Sequence, residues 1–256
     1  MSGRLKISLV GKPNSGKSSL FNQLTGLNQK VGNYPGVTVD KRTGTCNLNA
    51  ETIGEITDLP GIYSLYPRTL DEKIVAEIFT NRSNADYPDC VVLVADATNL
   101  KNSFLLLTQL IDLGLPVILV LNMVDLAARS GQSIDINAMS KALDLPILLI
   151  NARNGQGIYE LKKRLTQPIK ASTKNVYHIE SELKKPVDEI QERFRSKTRY
   201  EAYQLLQQAN TLSHLREEDR KYLQKISVDN NFFPGKYQGA ETIHRYTFIQ
   251  DLLNHV

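Results

Sequence analysis

The feature that most constrains this chain is a glycine-rich stretch near its N-terminus. Residues 11–18 read GKPNSGKS, which fits the phosphate-loop pattern G-x-x-x-x-G-K-[ST]. An apolar run precedes this stretch and a helix-like run, residues 19–24, follows it. Backbone N–H groups in such a turn converge on an anion, and the following helix points its positive end at the same place. The pattern therefore predicts a phosphate site between a buried strand and a helix.

The side chains of this phosphate loop have chemically defined roles. The Lys17 ammonium is expected to neutralise the β- and γ-phosphates of a nucleotide, and the Ser18 hydroxyl is expected to ligate Mg²⁺. The loop is predicted to contact the nucleotide through consecutive residues, namely Gly11, Lys12, Pro13, Asn14, Ser15, Gly16, Lys17, Ser18 and Ser19.

A second motif, Asp58-Leu59-Pro60-Gly61, follows two strand-like runs that are predicted to form a hairpin, residues 41–48 and 53–57. A carboxylate at a strand's end can hold Mg²⁺ through water, and the Gly61 N–H can sense the γ-phosphate. Residues 27–40, which lie before the hairpin, are predicted to form a long loop rich in turn residues. Such loops are usually functional or mobile.

Asn122 and Asp125 lie at the end of a strand predicted over residues 116–121. Guanine presents its N1–H and its exocyclic amino group side by side, and the Asp125 carboxylate can accept both. Adenine lacks this donor pair and would leave a buried carboxylate unpaired, at a large cost. Asn122 is expected to brace the loops around the base, and the Ala152 N–H to meet the guanine O6. The motifs together predict a guanine nucleotide.

Strand and helix alternate as far as residue 167, which predicts an α/β fold with a mostly parallel sheet flanked by helices. Strand-like runs disappear after Pro168. Val187, Ile190 and Phe194 then repeat at helical spacing, with Pro186 predicted in the first turn of their helix. We predict a nucleotide-binding domain over residues 1–167 and a small all-α domain over residues 168–256. Further strands are predicted at 90–96 and 145–150, helices at 70–81, 100–113, 134–143 and 158–165, and a helix break at 233–235.

The composition argues against several classes of protein. The net charge is +4 over 256 residues, which is too mild to predict a nucleic-acid surface. Cys46 and Cys90 lie in strand-like runs and are expected to be buried small residues rather than disulfide partners, as in a reducing compartment. No signal peptide and no run of 18 apolar residues is found in the sequence. No cluster of side chains that could hold Fe²⁺ is predicted.

The set GKPNSGKS, Thr38, DLPG, NMVD and NAR resembles the translation-factor-related GTPases. More narrowly, the stretch VGNYPGVTVDKRTG at residues 31–44, together with DLPG and NMVD, resembles the family of the bacterial ferrous iron transport protein B. The helical appendage also resembles this family. The resemblance covers nearly the whole chain and is most specific over residues 1–167. It implies a P-loop GTPase fold, a slow GTPase activity, and GTP or GDP, Mg²⁺ and K⁺ as ligands.

The resemblance also implies roles for individual residues. Residues 27–40 correspond to switch I, and residues from Asp58 onward to switch II. Ile62 stands where Ras-like enzymes carry a water-positioning glutamine, so K⁺ is implied to supply part of the catalysis. The implied catalytic residues are Asn14, Lys17, Thr38 and Gly61. The implied Mg²⁺ ligands are Ser18, Thr38 and Asp58, and the implied K⁺ ligands are Asn14, Gly32 and Tyr34. Further implied nucleotide contacts are Gly36, Val37, Asn122, Met123, Asp125, Asn151, Ala152 and Arg153.

Three residues depart from the pattern of the family that the chain resembles. Lys12 replaces an asparagine of the phosphate loop, Tyr34 replaces a frequent tryptophan, and Asn151 replaces a serine or threonine of the guanine loop. We expect Lys12 to affect affinity or cation preference and Asn151 to affect the rate of GDP release. None of these departures argues against GTP binding.

The resemblance implies a membrane-spanning permease region C-terminal to this chain, at the cytoplasmic face of the bacterial inner membrane. The chain itself is expected to be soluble, without a nucleic-acid partner, and a homo-oligomer is compatible with this interpretation. Two alternatives remain open on the sequence. One is a ribosome-assembly or RNA-modification GTPase, and the other is a regulatory switch with negligible hydrolysis.

Overall fold

The computed structural model describes residues 3–131 and 133–255. Seven strands in this part of the chain form one sheet, and they are β1 (Gly3–Gly11), β2 (Gln29–Asn33), β3 (Asp40–Asn47), β4 (Thr52–Asp58), β5 (Cys90–Asp96), β6 (Val117–Asn122) and β7 (Ile147–Leu149). Their order across the sheet is β2-β3-β4-β1-β5-β6-β7. The strands from β4 to β7 in this order pair in parallel, whereas β2 and β3 run antiparallel to their neighbours.

Helices follow most of the strands. In the part of the chain that contains the sheet they are α1 (Lys17–Thr25), α2 (Leu70–Thr80), α3 (Leu100–Asp112), α4 (Val124–Arg129), α5 (Ile136–Leu143) and α6 (Ile158–Leu165). A short 3₁₀ turn, Ala97–Asn99, precedes α3. The C-terminal part contains α7 (Ser181–Phe194), α8 (Arg199–Gln207), α9 (Glu217–Asp229) and α10 (Pro234–Asn254). The predicted α/β fold with a mostly parallel sheet, followed by helices alone, is confirmed.

The prediction of a continuous loop over residues 27–40 is wrong, because residues 29–33 form strand β2 at the edge of the sheet. All five residues of β2 are exposed, so no alternation of apolar and polar residues marks the strand in the sequence. The strand is held by its antiparallel pairing with β3, in which Val31 lies opposite Arg42. Main-chain pairing of this kind leaves no signal in side-chain chemistry.

The prediction that Pro186 lies in the first turn of its helix is also wrong. Helix α7 begins at Ser181, so Pro186 lies inside it. A proline at this position removes one hydrogen bond of the helix, but its ring is buried together with Val187 and Ile190. Helix α4, a six-residue element within and beyond the NMVD motif, was not predicted, because so short a helix shows no periodicity.

The helical part and the sheet share one apolar core. Helix α3 lies between them and packs against α10. Leu107 and Leu110 of α3 belong to the same buried cluster as Tyr203 of α8, Leu223 of α9 and Ile249 of α10. A second cluster lies under α1 and α6, on the opposite face of the sheet. The C-terminal helices are therefore fixed to the sheet by α3 rather than attached by a flexible linker.

A fully buried guanidinium lies at this junction. Arg245 of α10 has its Nε 2.6 Å from Glu241 Oε1, and its Nη2 lies 2.7 Å from Oδ2 of Asp112, the last residue of α3. All three side chains are 0% exposed. Asp112 also accepts the N–H groups of Val176 (2.7 Å) and Tyr177 (3.0 Å), which lie in the segment between α6 and α7. One network of charges therefore ties α3, α10 and the connecting segment together.

Burial dominates the ionisation of this network. It raises the pKa of Glu241 to about 7, although Arg245 opposes the shift, and it raises the pKa of Asp112 against the same guanidinium and the two N–H donors. Glu241 also accepts hydrogen bonds from the hydroxyl groups of Tyr200, at 2.6 Å, and Tyr66. Buried carboxylates of this kind are tolerable only while their cationic partner is present.

Another contact between the two parts lies at the end of α2. The Glu77 carboxylate accepts the N–H and the hydroxyl of Ser213 and lies 2.7 Å from Nδ1 of His214. Although burial opposes the shift, these hydrogen bonds lower the pKa of Glu77 to about 2. The carboxylate therefore stays ionised, and α2 remains joined to the segment before α9.

We predict that Arg245→Ala lowers the free energy of unfolding by about 3–5 kcal/mol, because it leaves Asp112 and Glu241 buried without their cation. Lys221→Ala is the matched control, since Lys221 also pairs with a glutamate four residues earlier, but at the surface. The control is expected to change stability by less than about 0.5 kcal/mol. Urea unfolding of both variants gives the comparison, and equal small effects would contradict the prediction.

Candidate nucleotide-binding site

The stretch GKPNSGKS forms the turn between β1 and α1, as the sequence predicts. Asn14 and Gly16 adopt left-handed backbone conformations, with φ of 64° and 89°. The Ser15 N–H is donated to the Lys12 carbonyl at 3.3 Å. A side chain at position 16 would overlap Nδ2 of Asn122, so only glycine combines this conformation with this close contact.

Four predicted phosphate and magnesium residues line one cavity of about 500 Å³, namely Lys17, Ser18, Thr38 and Asp58. The Lys17 ammonium forms a buried ion pair with Asp58. The Ser18 hydroxyl lies 3.2 Å from the other carboxylate oxygen. Asp58 therefore holds the last two side chains of the phosphate loop, Lys17 and Ser18, at the carboxyl edge of the sheet.

The donor set of this cavity fits Mg²⁺. The hydroxyl groups of Ser18 and Thr38 and the carboxylate of Asp58 are hard oxygen ligands, which Mg²⁺ prefers, and one or two protein ligands are enough because phosphates and water complete its shell. Thr38 is exposed at the rim of the cavity. The fit of these residues to Mg²⁺ rests on their chemistry and on their common cavity.

Asn122 joins the phosphate loop to the predicted guanine loop. Its Nδ2 donates to the Ser15 carbonyl at 3.0 Å, and its Oδ1 accepts the Ala152 N–H at 3.1 Å. The side chain is buried at the end of β6. Asn122 therefore fixes the separation of the two loops on either side of the predicted nucleotide.

The remaining predicted base contacts lie around Asn122. Met123 has a positive φ of 61° and precedes α4, which carries Asp125, exposed, in its first turn. Asn151 caps the loop by accepting the N–H of Arg153 at 3.1 Å. The Ala152 N–H is already donated to Asn122, so the predicted contact between this N–H and the guanine O6 stays a prediction.

The predicted potassium ligands lie in three different settings. Asn14 is exposed at the top of the phosphate loop. Gly32 lies within β2, opposite Lys41 in the pairing with β3. The Tyr34 carbonyl accepts the Val37 N–H at 3.2 Å. None of the three potassium candidates lines the cavity of Lys17 and Asp58, so the K⁺ site stays a prediction.

Tyr34 is the buried residue of the segment 27–40, with 4% of its surface exposed. Its ring belongs to the main core, and the Lys41 ammonium lies 5.6 Å from the ring centre. The hydroxyl is buried without a hydrogen-bond partner among the described residues. Burial, followed by the nearby carboxylates of Asp86 and Asp58, raises the pKa of Tyr34 above its usual range. The side chain is therefore a neutral anchor of the segment.

Ile62 does not reach the solvent. The side chain is 0% exposed, and its N–H is donated to the Gly11 carbonyl at 3.1 Å. Gly61 lies against Pro13, since a Cβ at this position would come within 2.9 Å of the Pro13 nitrogen. The segment after Asp58 is therefore in direct contact with the phosphate loop.

A polar network that the sequence does not predict holds this segment from the side opposite the phosphate loop. Leu65 donates its N–H to Gln109 of α3 at 2.8 Å and accepts a hydrogen bond from Gln208, next to α8, at 3.0 Å. Tyr66 donates its hydroxyl to Glu241 of α10. The spacing of Glu241 and Arg245 by four residues on one helix was visible in the sequence, but their burial was not.

Two negative findings apply to residues 3–131 and 133–255. No group of three or more histidine, cysteine, aspartate or glutamate side chains could hold a metal ion there. In the same ranges, every helix is too short or too polar to cross a membrane. Cys46 and Cys90 are free and buried, as predicted from their strand-like surroundings.

The arrangement defines a class of protein. A phosphate loop lies between β1 and α1, and the motifs DLPG, NMVD and NAR follow the parallel strands β4, β6 and β7 at one edge of the sheet, where α/β proteins bind ligands. This combination of fold and site is that of a P-loop G domain, followed here by a helical domain.

The family profile described as "Ferrous iron transport protein B" matches residues 5–165. The chain belongs to this family. The Fe(2+) transporter FeoB of Leptospira biflexa is 35% identical over 261 residues, which cover 97% of this chain and 37% of that protein. The Fe(2+) transporter FeoB of Legionella pneumophila is 44% identical over 161 residues, which cover 61% of this chain and 21% of that protein. The chain therefore spans 37% of the length of the first relative and 21% of the length of the second.

The family profile ends at residue 165, but solved structures of FeoB proteins also match the C-terminal helices of this chain. The cytosolic domain of L. pneumophila FeoB superposes with a TM-score of 0.80 at 30% identity, over 98% of each chain. A point mutant of the S. thermophilus protein bound to GDP has a TM-score of 0.73 at 30% identity, over 98% of each chain. The GMPPNP form of the T. maritima cytosolic domain has a TM-score of 0.74 at 26% identity, over 98% of each chain.

Proposed function

We propose that this chain is the GTP-binding and GTP-hydrolysing cytosolic domain of a bacterial ferrous iron transporter. The observation that carries the proposal is the common cavity of Lys17, Ser18, Thr38 and Asp58, joined through Asn122 to the base loop. Relatives of similar fold were solved with GDP and with GMPPNP, which supports a guanine nucleotide here. The family assignment favours this function over a ribosome-assembly or RNA-modification GTPase.

The phosphate loop and Asp58 prepare the site for a charged ligand. Backbone N–H groups and the N-terminus of α1 face the predicted phosphates, and Lys17 adds a full positive charge. Asp58 holds the Lys17 ammonium and the Ser18 hydroxyl at the cavity. Ser18, Thr38 and Asp58 would hold Mg²⁺, which would supply positive charge that neutralises the phosphates. Gly61, packed on Pro13, would sense the γ-phosphate.

Selection of guanine would come from Asp125, with Asn122 holding the loops. Asp125 is exposed in the first turn of α4, so its carboxylate is free to accept the two adjacent donors of guanine. Met123, Asn151, Ala152 and Arg153 would form the walls of the base site. The two hydrogen bonds of Asn122 keep these walls at a fixed distance from the phosphate loop.

We predict that Asp125→Asn weakens GTP binding by roughly 100-fold, because an amide cannot accept both guanine donors. The same variant is expected to bind xanthosine triphosphate better than the unmodified protein does, since xanthine carries a carbonyl in place of the amino group. Asp251→Asn, an exposed position on α10, is the matched control. Titration with both nucleotides checks this, and equal weakening for both would contradict the role of Asp125.

Hydrolysis would need a device other than a glutamine, because Ile62 is apolar and buried. A K⁺ ion held by Asn14 and by the carbonyls of Gly32 and Tyr34 would offset charge that develops in the transition state. Asn14 is exposed beside the phosphate loop, which is compatible with this role. With Thr38, Lys17 and Gly61 as the other catalytic residues, a slow intrinsic rate is expected.

We predict that GTP hydrolysis with Mg²⁺ is roughly tenfold faster in KCl than in NaCl at equal ionic strength. Asn14→Ala and Asn14→Gly are expected to abolish the difference. Asn14→Gly separates the loss of the side chain from backbone strain, because the φ of 64° at this position strains alanine but not glycine. Equal slow rates in both salts would show that Asn14 is only structural and would favour a regulatory switch with negligible hydrolysis.

The helical domain would pass the nucleotide state towards a membrane-spanning permease region that follows this chain in the full protein, at the cytoplasmic face of the inner membrane. The proposed boundaries are residues 1–167 for the G domain and 168–256 for the helical domain. The proposal is supported by the contacts of Leu65 and Tyr66 with α3, α10 and Gln208. These contacts lie only a few residues beyond Gly61.

We predict that Gln208→Ala changes the rate of GDP release, because it removes the hydrogen bond to the Leu65 carbonyl. The expected change is roughly two- to tenfold, the value of one buried hydrogen bond. Gln207→Ala is the matched control, since Gln207 bonds Tyr203 within α8. Release of a fluorescent GDP analogue measures the rate. Identical rates in both variants would count against communication between the helical domain and the nucleotide site.

A further inference from the structure

Lys12 in the phosphate loop contacts an aromatic ring in the segment after Asp58. Its ammonium lies 5.4 Å from the centre of the Tyr63 ring, within the range of a cation–π interaction. Tyr63 is 53% exposed and lies on no other aromatic ring among the described residues. Lys12 takes part in none of the ion pairs found in residues 3–131 and 133–255. The ring is therefore the partner of this cation.

The two residues flank a tight backbone junction. Ile62 donates its N–H to the Gly11 carbonyl at 3.1 Å, and Gly61 lies against Pro13. Lys12 lies between Gly11 and Pro13 in the chain, and Tyr63 follows Ile62. The pair of side chains thus spans the same junction as these main-chain contacts, on its solvent side.

We propose that Lys12 is a positioning residue for the γ-phosphate sensor. By resting on Tyr63, its ammonium holds residues 61–63 on the phosphate loop, so that the Gly61 N–H meets a γ-phosphate without first having to be ordered. The inference rests on the proposed function and deepens it, since it assigns to this pair a part of the preference for a nucleoside triphosphate over a diphosphate. A diphosphate makes no contact that depends on the position of Gly61.

The alternative role for Lys12 is direct attraction of phosphates by its charge. That role would strengthen the binding of GDP and GTP alike and would not depend on Tyr63. The positioning role requires the ring as well as the cation, and it acts only on the nucleotide that carries a γ-phosphate. Variants at both positions therefore separate the two roles.

The experiment compares the affinities for GDP and for the non-hydrolysable GTP analogue GMPPNP in the full chain. Lys12→Met and Tyr63→Leu are each expected to lower the preference for GMPPNP by roughly two- to fivefold, the value of an exposed cation–π pair. The double variant is expected to lose no more than either single variant. Lys12→Arg and Tyr63→Phe, which keep the cation and the ring, are expected to retain the preference for GMPPNP.

Additive losses in the double variant, or equal losses for both nucleotides, would overturn the positioning role. Amide hydrogen exchange over residues 61–66 supplies a readout that needs no nucleotide. Exchange is expected to be faster in Lys12→Met and Tyr63→Leu than in the unmodified protein, and unchanged exchange would overturn the inference. Faster exchange in a protein that binds no guanine nucleotide would instead overturn the proposed function alone.

Discussion

The parallel pairing of β1 with β4 and β5 is the constraint on which the site depends. In this register Leu9 lies opposite Asp58 and Gly11 lies opposite Val94. The phosphate loop and the Asp58 motif therefore leave the sheet side by side, although 40 residues of chain separate them. β6 continues the parallel order and brings Asn122 to the same edge. Residues that are distant in sequence meet because carboxyl ends of parallel strands share one edge.

The sequence predicts those parts of the structure whose cause is local. The turn GKPNSGKS needs glycine at position 16 for its backbone and for its contact with Asn122, so the motif alone specifies the geometry. The buried strands β5 and β6 are continuous apolar runs, and the hairpin of β3 and β4 is bounded by polar turn residues. Here chemistry, length and flanking residues all indicate the same element.

The remaining features depend on partners that the sequence does not name. Strand β2 exists because β3 offers hydrogen bonds, and Pro186 is accepted within α7 because its ring is buried. The ionised Arg245 is stable in the core only because Asp112, 133 residues earlier, ends α3 at the right place. A periodic pattern reports which face of a helix is apolar, but it does not report which charges will meet there.

The edge strand β2 has a consequence for how the segment 27–40 can move. Its five residues bury no side chain, so detaching the strand breaks a few main-chain hydrogen bonds that water can replace, each worth about 1 kcal/mol. Tyr34 is the buried side chain of the segment, and the partly buried Val37 and Val39 pack against the same core. The Tyr34 hydroxyl has no hydrogen-bond partner in residues 3–131 and 133–255. The segment is therefore held on the sheet by the main-chain hydrogen bonds to β3 and by the apolar contacts of Tyr34, Val37 and Val39. Loss of the β2–β3 pairing together with these apolar contacts would release the whole segment, while the pairing of β3 with β4 and of the parallel strands stays intact.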